Sequence, residues 1–436
     1  MSTIGKKNYL YTFNKFLCIL FCIWFAWPYA NYYLGMYFGM TLSFVWLVTS
    51  GYFILMKKWS IDLIMVVAFF TTMIPYVLTG EFRYSSFNMI SILGTFYLFF
   101  IGMFIFHYYY YYKKDFVFLG KLALITIVFY SVGAVQTYAG LLIYPEASRY
   151  LAVGGLNPEI RAAYTSIGIG GFNFVYSSVF LLIMIVYIFT RQKSKYLKKR
   201  RLLIIFLILV IFSTIVKSSY TIAILISIFG CILVIAVKNR RVFYALLFLS
   251  TFILLTVSDN VLSHILYNIA NIFSNNLILN EKFLDLAQTI SRNQGNSSQT
   301  LYRMELYTSS LSTFVKNPLF GINGPFGNIN DRIGGHSGWL DMMAYFGLFS
   351  TIPLFSAIGL NFKKILQINK KEGSFFGIYS VQLLFIVYGI INPILYVYQI
   401  GLIMFLIVPS MPYIYCYLRK KSFTTLNKIV NTREDE

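Results

Sequence analysis

Charge is what this sequence most lacks. Charged residues make up 12% of the chain, against about 25% in an ordinary soluble domain. So thin a charge cover cannot coat a water-exposed surface, which excludes a soluble enzyme. Histidine occurs 3 times and cysteine 4 times. Cys18, Cys22, Cys231 and Cys416 all fall within or at the ends of apolar stretches, which excludes a secreted disulfide scaffold and leaves no zinc-type spacing. Cys18 and Cys22 share a helical face and are expected to pack in lipid or against a neighbouring helix. No glycine-rich nucleotide loop and no acidic metal cluster occurs in the short basic connections, so neither a cofactor nor a metal is expected.

What is abundant is apolar length: 58% of the 436 residues are hydrophobic and 19% aromatic. Phe16–Met56 and Ser374–Leu418 carry no charge, and Leu202–Val237 carries only Lys217. Each is long enough to cross a bilayer twice at about 20 residues per crossing. The pattern predicts an all-α polytopic membrane protein, a single integral membrane domain over 1–436. It has about twelve spans: 16–34, 37–56, 60–79, 88–110, 117–143, 173–190, 202–216, 219–237, 242–258, 338–360, 375–391 and 397–418. No small-residue cleavage site follows residues 16–33, so that segment is expected to stay as a span.

With both termini in the cytoplasm, every second connection is basic. Of the 36 Lys and Arg, 27 then fall inside and 9 outside; the 15 acids divide 6 and 9, so the net charge of +21 lies entirely on the inner side. The positive-inside rule accounts for it without nucleic acid, leaving lipid headgroups as the anionic partner.

Two outer connections are too long to be mere links. One covers 144–172, the other 259–337 between the ninth and tenth spans. In the second, Val261, Leu262, Ile265, Leu266, Ile269, Ile272 and Phe273 recur at helical spacing opposite asparagines, predicting an amphipathic helix against the outer leaflet. A shorter pattern follows over Phe283–Ile290, and a third helix runs from near Thr300 to Asn317-Pro318. After it comes the glycine-punctuated stretch 319–327. No internal repeat relates the two halves, which argues against a transporter.

Outer cations are scarce by topology, so each asks for a reason: Arg83, Arg149, Arg161, Lys217, Lys282, Arg292, Arg303, Lys316 and Arg332. Six are arginines, whose planar fork suits phosphate. Arg161 and Arg303 each lie beside an apolar stretch that would seat them at the membrane surface; Arg149, Arg292 and Arg332 are further candidates for an anionic substrate. His336, at the start of the tenth span, could accept a proton as a neutral imidazole. Asp341, within that span, needs a partner, either His336 or an arginine. Glu305 could orient Arg303. His107 and Tyr108–Tyr112 read as an interfacial aromatic belt, and His264 as the polar side of an amphipathic helix.

Arg303 on a helix, Asn317-Pro318-Leu319-Phe320-Gly321, and His336-Ser337-Gly338-Trp339-Leu340 leading into Tyr345-Phe346-Gly347-Leu348 together resemble the O-antigen polymerase and ligase superfamily. Arg161, ahead of Gly168–Phe174 and a new span, looks like that family's earlier outer-loop arginine. The chain is most similar to the Wzy-type polymerases of O-antigen or capsular polysaccharide. The resemblance implies a bacterial cytoplasmic (inner) membrane enzyme that transfers a growing glycan from undecaprenyl pyrophosphate to a sugar hydroxyl of the next lipid-linked repeat unit, without a metal. His336, Arg303 and Arg161 would be catalytic, with Arg149, Arg292, Arg332, Glu305 and Asp341 binding substrate and a chain-length regulator as a further partner. A ligase moving finished polymer to another acceptor, or a lipid-linked oligosaccharide flippase, remains open beside it.

Overall fold

The computed structural model describes residues 3–52, 58–78, 89–152, 157–191, 201–236, 259–275, 277–290, 299–323, 331–371, 375–414 and 416–418. Among these the chain is helical and forms no strand. The predicted ninth span (242–258), Arg83, Arg292 and the glycines of 324–327 lie outside the described residues.

The elements are α1 (Thr3–Ala26), α2 (Pro28–Thr49), α3 (Ile61–Leu78), α4 (Met89–His107), α5 (Phe116–Ile143), α6 (Ala147–Tyr150), α7 (Pro158–Ser166) and α8 (Phe172–Arg191). They continue with α9 (Arg201–Lys217), α10 (Thr221–Ala236), α11 (Asp259–Ile272), α12 (Leu277–Ile290), α13 (Gln299–Lys316), α14 (Gly338–Lys371), α15 (Phe375–Ile391) and α16 (Tyr398–Leu402). Past α16 the chain runs on through wider and tighter helical turns to Tyr413. Among the described residues 6 helices are long and apolar enough to cross a membrane, ending with Gly338–Lys370. Shorter apolar helices cover Thr221–Ala236, Phe376–Ile391 and Tyr398–Tyr413.

The predicted boundary between the first two spans moves. Proline disfavours helical backbone at the residue before it, and Trp27 is extended (φ −108, ψ 110), ending α1 at Ala26 and starting α2 at Pro28. The predicted junction near residue 35 survives as a break inside α2, where Gly35 has φ 71 and ψ 175.

Tyr108–Tyr112 does not form a uniform headgroup belt. Successive helical side chains point about 100° apart, so five in a row cannot share one face. The run widens into a π-turn that buries Tyr108 and Tyr109 and leaves Tyr111 and Tyr112 partly exposed. His107 is likewise interior, hydrogen-bonded to the Tyr52 hydroxyl. Cys18 packs inside against the Tyr109 hydroxyl.

Residues from several predicted inner connections gather at this end. Lys15 pairs with Asp115 at 2.5 Å. Lys58 lies 4.7 Å and Lys113 4.8 Å from the Tyr112 ring, and Lys364 lies 4.5 Å from that of Tyr111. Buried Asp62 accepts from Asn361 (2.8 Å) and pairs with Lys364 (3.4 Å), tying the start of α3 to the later part of α14. From Asp115, α5 rises about 42 Å at 1.5 Å per residue to the opposite end, where the described residues of 144–172 lie.

The loop helices fold on one another. α11 and α12 form a hairpin in which Ser263 donates to the Ala287 carbonyl (2.8 Å), Asn280 donates to that of Ala270 (2.9 Å), and Phe273 stacks on Phe283. Pairing therefore covers part of the apolar face expected to meet lipid, while Ile265, Ile272 and Leu277 stay exposed. His264 is exposed beside Asn268, as its polar position predicts.

Candidate functional site

The C-terminal end of α15 is the anchor. The last carbonyls of a helix have no partner within it and must find one elsewhere. Here the Ile391 carbonyl accepts from the Tyr307 hydroxyl (3.1 Å) and that of Asn392, just past the end, from Gly338 N (2.9 Å); earlier in the helix the Ile386 carbonyl also accepts from Trp339 Nε1 (2.8 Å). The first residues of α14 and one face of α13 thus hang on the same helix end. Arg303 lies one turn before Tyr307, and His336 two residues before α14.

Asp341 completes the junction. Its buried carboxylate accepts from the Ser310 hydroxyl of α13 (2.6 Å) and from Ser337 N (2.8 Å), while Ser337 Oγ accepts from Leu340 N (3.3 Å). Together they cap α14 in the manner of a capping box. The hydrogen-bond partners of Asp341 are thus Ser310 and the Ser337 backbone, with the expected His336 close enough to act on the carboxylate electrostatically.

The Pro318–Asn323 turn docks into a break in α14. Gly347, at φ 60 and ψ −170, interrupts the helix and frees its backbone groups. The turn takes them up: Ile322 N donates to the Ala344 carbonyl (2.9 Å), Leu348 N to that of Pro318 (2.8 Å), and Phe349 N to that of Leu319 (2.9 Å). A Cβ on Gly347 would stand 2.3 Å from the Leu319 carbonyl, and one on Gly321 2.4 Å from that of Tyr345. At the head of the turn Asn317 donates to Asp331 (2.9 Å), which also pairs with Lys316 at 2.9 Å. The hydrogen-bonded Lys316 ammonium holds the Asp331 carboxyl below its usual range.

Arg161 arrives from the other loop on α7, which Pro158 starts and Asn157 caps by accepting from Glu159 N (2.9 Å). The chain then turns through Gly170, whose N donates to Thr137 Oγ1 (2.9 Å) and whose carbonyl accepts from the Ser148 hydroxyl (2.7 Å). Gly171 N donates to the Tyr32 hydroxyl (3.2 Å).

These elements enclose a cavity of about 740 Å³ lined by Arg161, Arg303 and His336 together with Tyr32, Asn392 and Gln399. Three residues from separate parts of the sequence therefore meet at one space. The Nδ1 of His336 sits 2.9 Å from the Gly335 carbonyl; donation there leaves Nε2 as the proton acceptor. Among the described residues neither Arg161 nor Arg303 forms an ion pair. Two buried amide atoms on the lining, Asn392 Nδ2 and Gln399 Oε1, have no hydrogen-bond partner among the described residues.

A second cavity of about 400 Å³ shares Arg303, Phe172 and Asn392 with the first and adds Arg149, Lys282 and Tyr220. Burial, and then the nearby Arg149 and Arg303, hold the Lys282 ammonium below its ordinary range, with Asp285 and Glu281 opposing.

Arg332 and Glu305 line neither cavity. Both are exposed: Arg332 serves through its carbonyl, which accepts from Ser309 (2.9 Å) and Thr313 (2.6 Å), and Glu305 forms no ion pair with Arg303. Asn392, Gln399 and the placement of Lys282 escaped sequence reasoning; scarcity of outer cations was the one available signal, and it pointed only to Lys282. Among the described residues no three His, Cys, Asp or Glu side chains cluster as metal ligands would.

No protein-family model matches the chain, and no curated protein sequence matches it.

Proposed function

We propose that this protein polymerises lipid-linked glycan repeat units on the outer face of the bacterial cytoplasmic membrane, with twelve spans and both long loops outside. The acceptor sugar hydroxyl attacks the anomeric carbon of the donor glycan. A new glycosidic bond forms as the carbon–oxygen bond to undecaprenyl pyrophosphate breaks, and the pyrophosphate leaves with the electron pair. His336 Nε2 takes the hydroxyl proton. Arg161 and Arg303 offset the charge growing on the leaving diphosphate, an interaction stronger in the transition state than before it.

The observation that carries this reading is the convergence of Arg161, Arg303 and His336 on one cavity. The gathering of Lys15, Lys58, Lys113 and Lys364 at the opposite end of the bundle agrees with a cytoplasmic placement of that end. Unpartnered Asn392 and Gln399 amide atoms offer a donor and an acceptor to sugar hydroxyls.

A chromosomal deletion complemented with variants tests it. The deletion strain should make glycan of a single repeat unit, and His336→Ala or Arg303→Ala should fail to restore the ladder while reaching the membrane at the wild-type level. Arg161→Ala should impair extension. Normal-length polymer from His336→Ala removes the assigned base. Long polymer stranded on the carrier in the deletion strain would indicate the ligase reading, and unexported units the flippase reading.

A further inference from the structure

We propose that the smaller cavity is a second lipid-diphosphate subsite, formed by Arg149, Lys282 and Arg303, which holds one of the two substrates while the other occupies the Arg161–His336 cavity. The inference rests on the polymerase reading for the identity of the lipids, though not for the existence of the site.

Three cations from three separate elements, with the single carboxylate of Asp285 among them, line a space of about 400 Å³ and leave it a net positive charge. Arg149 lies in the single turn of α6, Lys282 on α12 and Arg303 on α13. None of them forms an ion pair among the described residues. Like charges gathered in a partly buried space repel one another; burial first, and then Arg149 and Arg303, hold the Lys282 ammonium below its ordinary range against the opposing Asp285 and Glu281. The arrangement becomes favourable once a multivalent anion enters, because each arginine fork and the ammonium gains a charge-assisted hydrogen bond. Asn392, 7% exposed, contributes a separate sign: its Nδ2 is buried without a partner, and the residue lines this cavity as well as the larger one. An amide donor beside three cations suits diphosphate or sugar oxygens.

The rim indicates a lipid as the carrier of that anion. Leu225 and Met304, both on the lining, are 44% and 58% exposed. An apolar edge next to a cationic pocket fits an anionic headgroup with a hydrocarbon tail better than it fits a free ion. Arg303 lines both cavities, so two diphosphates can lie on either side of one guanidinium. This brings a donor and an acceptor sugar into one enclosed region, where encounter becomes positioning.

The test uses the full chain in lipid nanodiscs, with undecaprenyl pyrophosphate as the probe and native mass spectrometry to count bound copies. The wild type should hold two. Arg149→Ala with Lys282→Ala should hold one, the lost copy weakening about tenfold for each cation removed; Arg149→Lys with Lys282→Arg should retain two, separating charge from folding. Arg161→Ala should lose the other copy. A single copy in the wild type, unchanged by the double alanine variant, overturns the subsite. Inorganic pyrophosphate competing as tightly as the lipid would show a free-anion site and overturn the lipid assignment. Copy number is read without any polymer being made, so loss of a lipid in the double variant together with a normal ladder in the deletion strain would sink the polymerase reading and leave the subsite standing.

Discussion

Asp341 shows how a buried carboxylate can be tied into a helix start. A carboxylate inside an apolar span demands partners, and it has them in Ser310 and the Ser337 backbone. Asp341→Ala should leave those buried donors unpaired, at about 1–3 kcal/mol each. Thermal unfolding in detergent should fall by several degrees, and extension should weaken because His336 loses its fixed approach. Wild-type unfolding in that variant would refute the capping role. As candidates, His336 and Arg303 were legible from residue type and position, since few residues of the expected outer connections could grip phosphate or move a proton. Asn392 and Gln399 were not: a neutral amide in an apolar segment carries no pattern, and only its missing partner in the folded chain singles it out.

At the scale of elements, hydropathy located most helices to within a few residues, because apolar length responds to the bilayer alone. Breaks followed other rules. The one at Trp27 was present in the sequence as a residue before proline. The one at Gly347 was not, since an isolated glycine in a helical pattern is ordinarily tolerated. It exists because the Pro318–Asn323 turn supplies partners for the opened backbone. Gly347→Ala should be severely destabilising: the conformation alone costs about 1–3 kcal/mol for a residue with a side chain, and the added Cβ would stand 2.3 Å from the Leu319 backbone, which cannot rotate away. The expected result is little folded protein by fluorescence-detected size exclusion; a monodisperse wild-type profile would contradict this account of the turn. The Asp62–Lys364 pair joins two elements in the same way at the other end. Lys364→Met leaves a carboxylate 2% exposed without its cation, and should cost about 3–5 kcal/mol, largely recovered by adding Asp62→Leu. Unfolding temperatures of the single and double variants decide it.

For the molecule as a whole, the prediction is topological. Reporter fusions within 259–290 should report the outer side, and fusions near Lys114 or Lys371 the cytoplasm. A cytoplasmic signal from the large loop would place the cavities on the wrong face and end the proposed chemistry. Read alone, the amino-acid order settled that the chain is helical and apolar and where most of its helices run. These follow from local composition, read one segment at a time against water and lipid. It took the folded chain to bring Arg161, Arg303 and His336 to one cavity, to gather Arg149 and Lys282 at a second around the same Arg303, and to leave Arg332 and Glu305 on neither lining. Those outcomes depend on hydrogen bonds between residues far apart in the chain, above all at the end of α15, and no local pattern encodes which distant carbonyl a helix start will find.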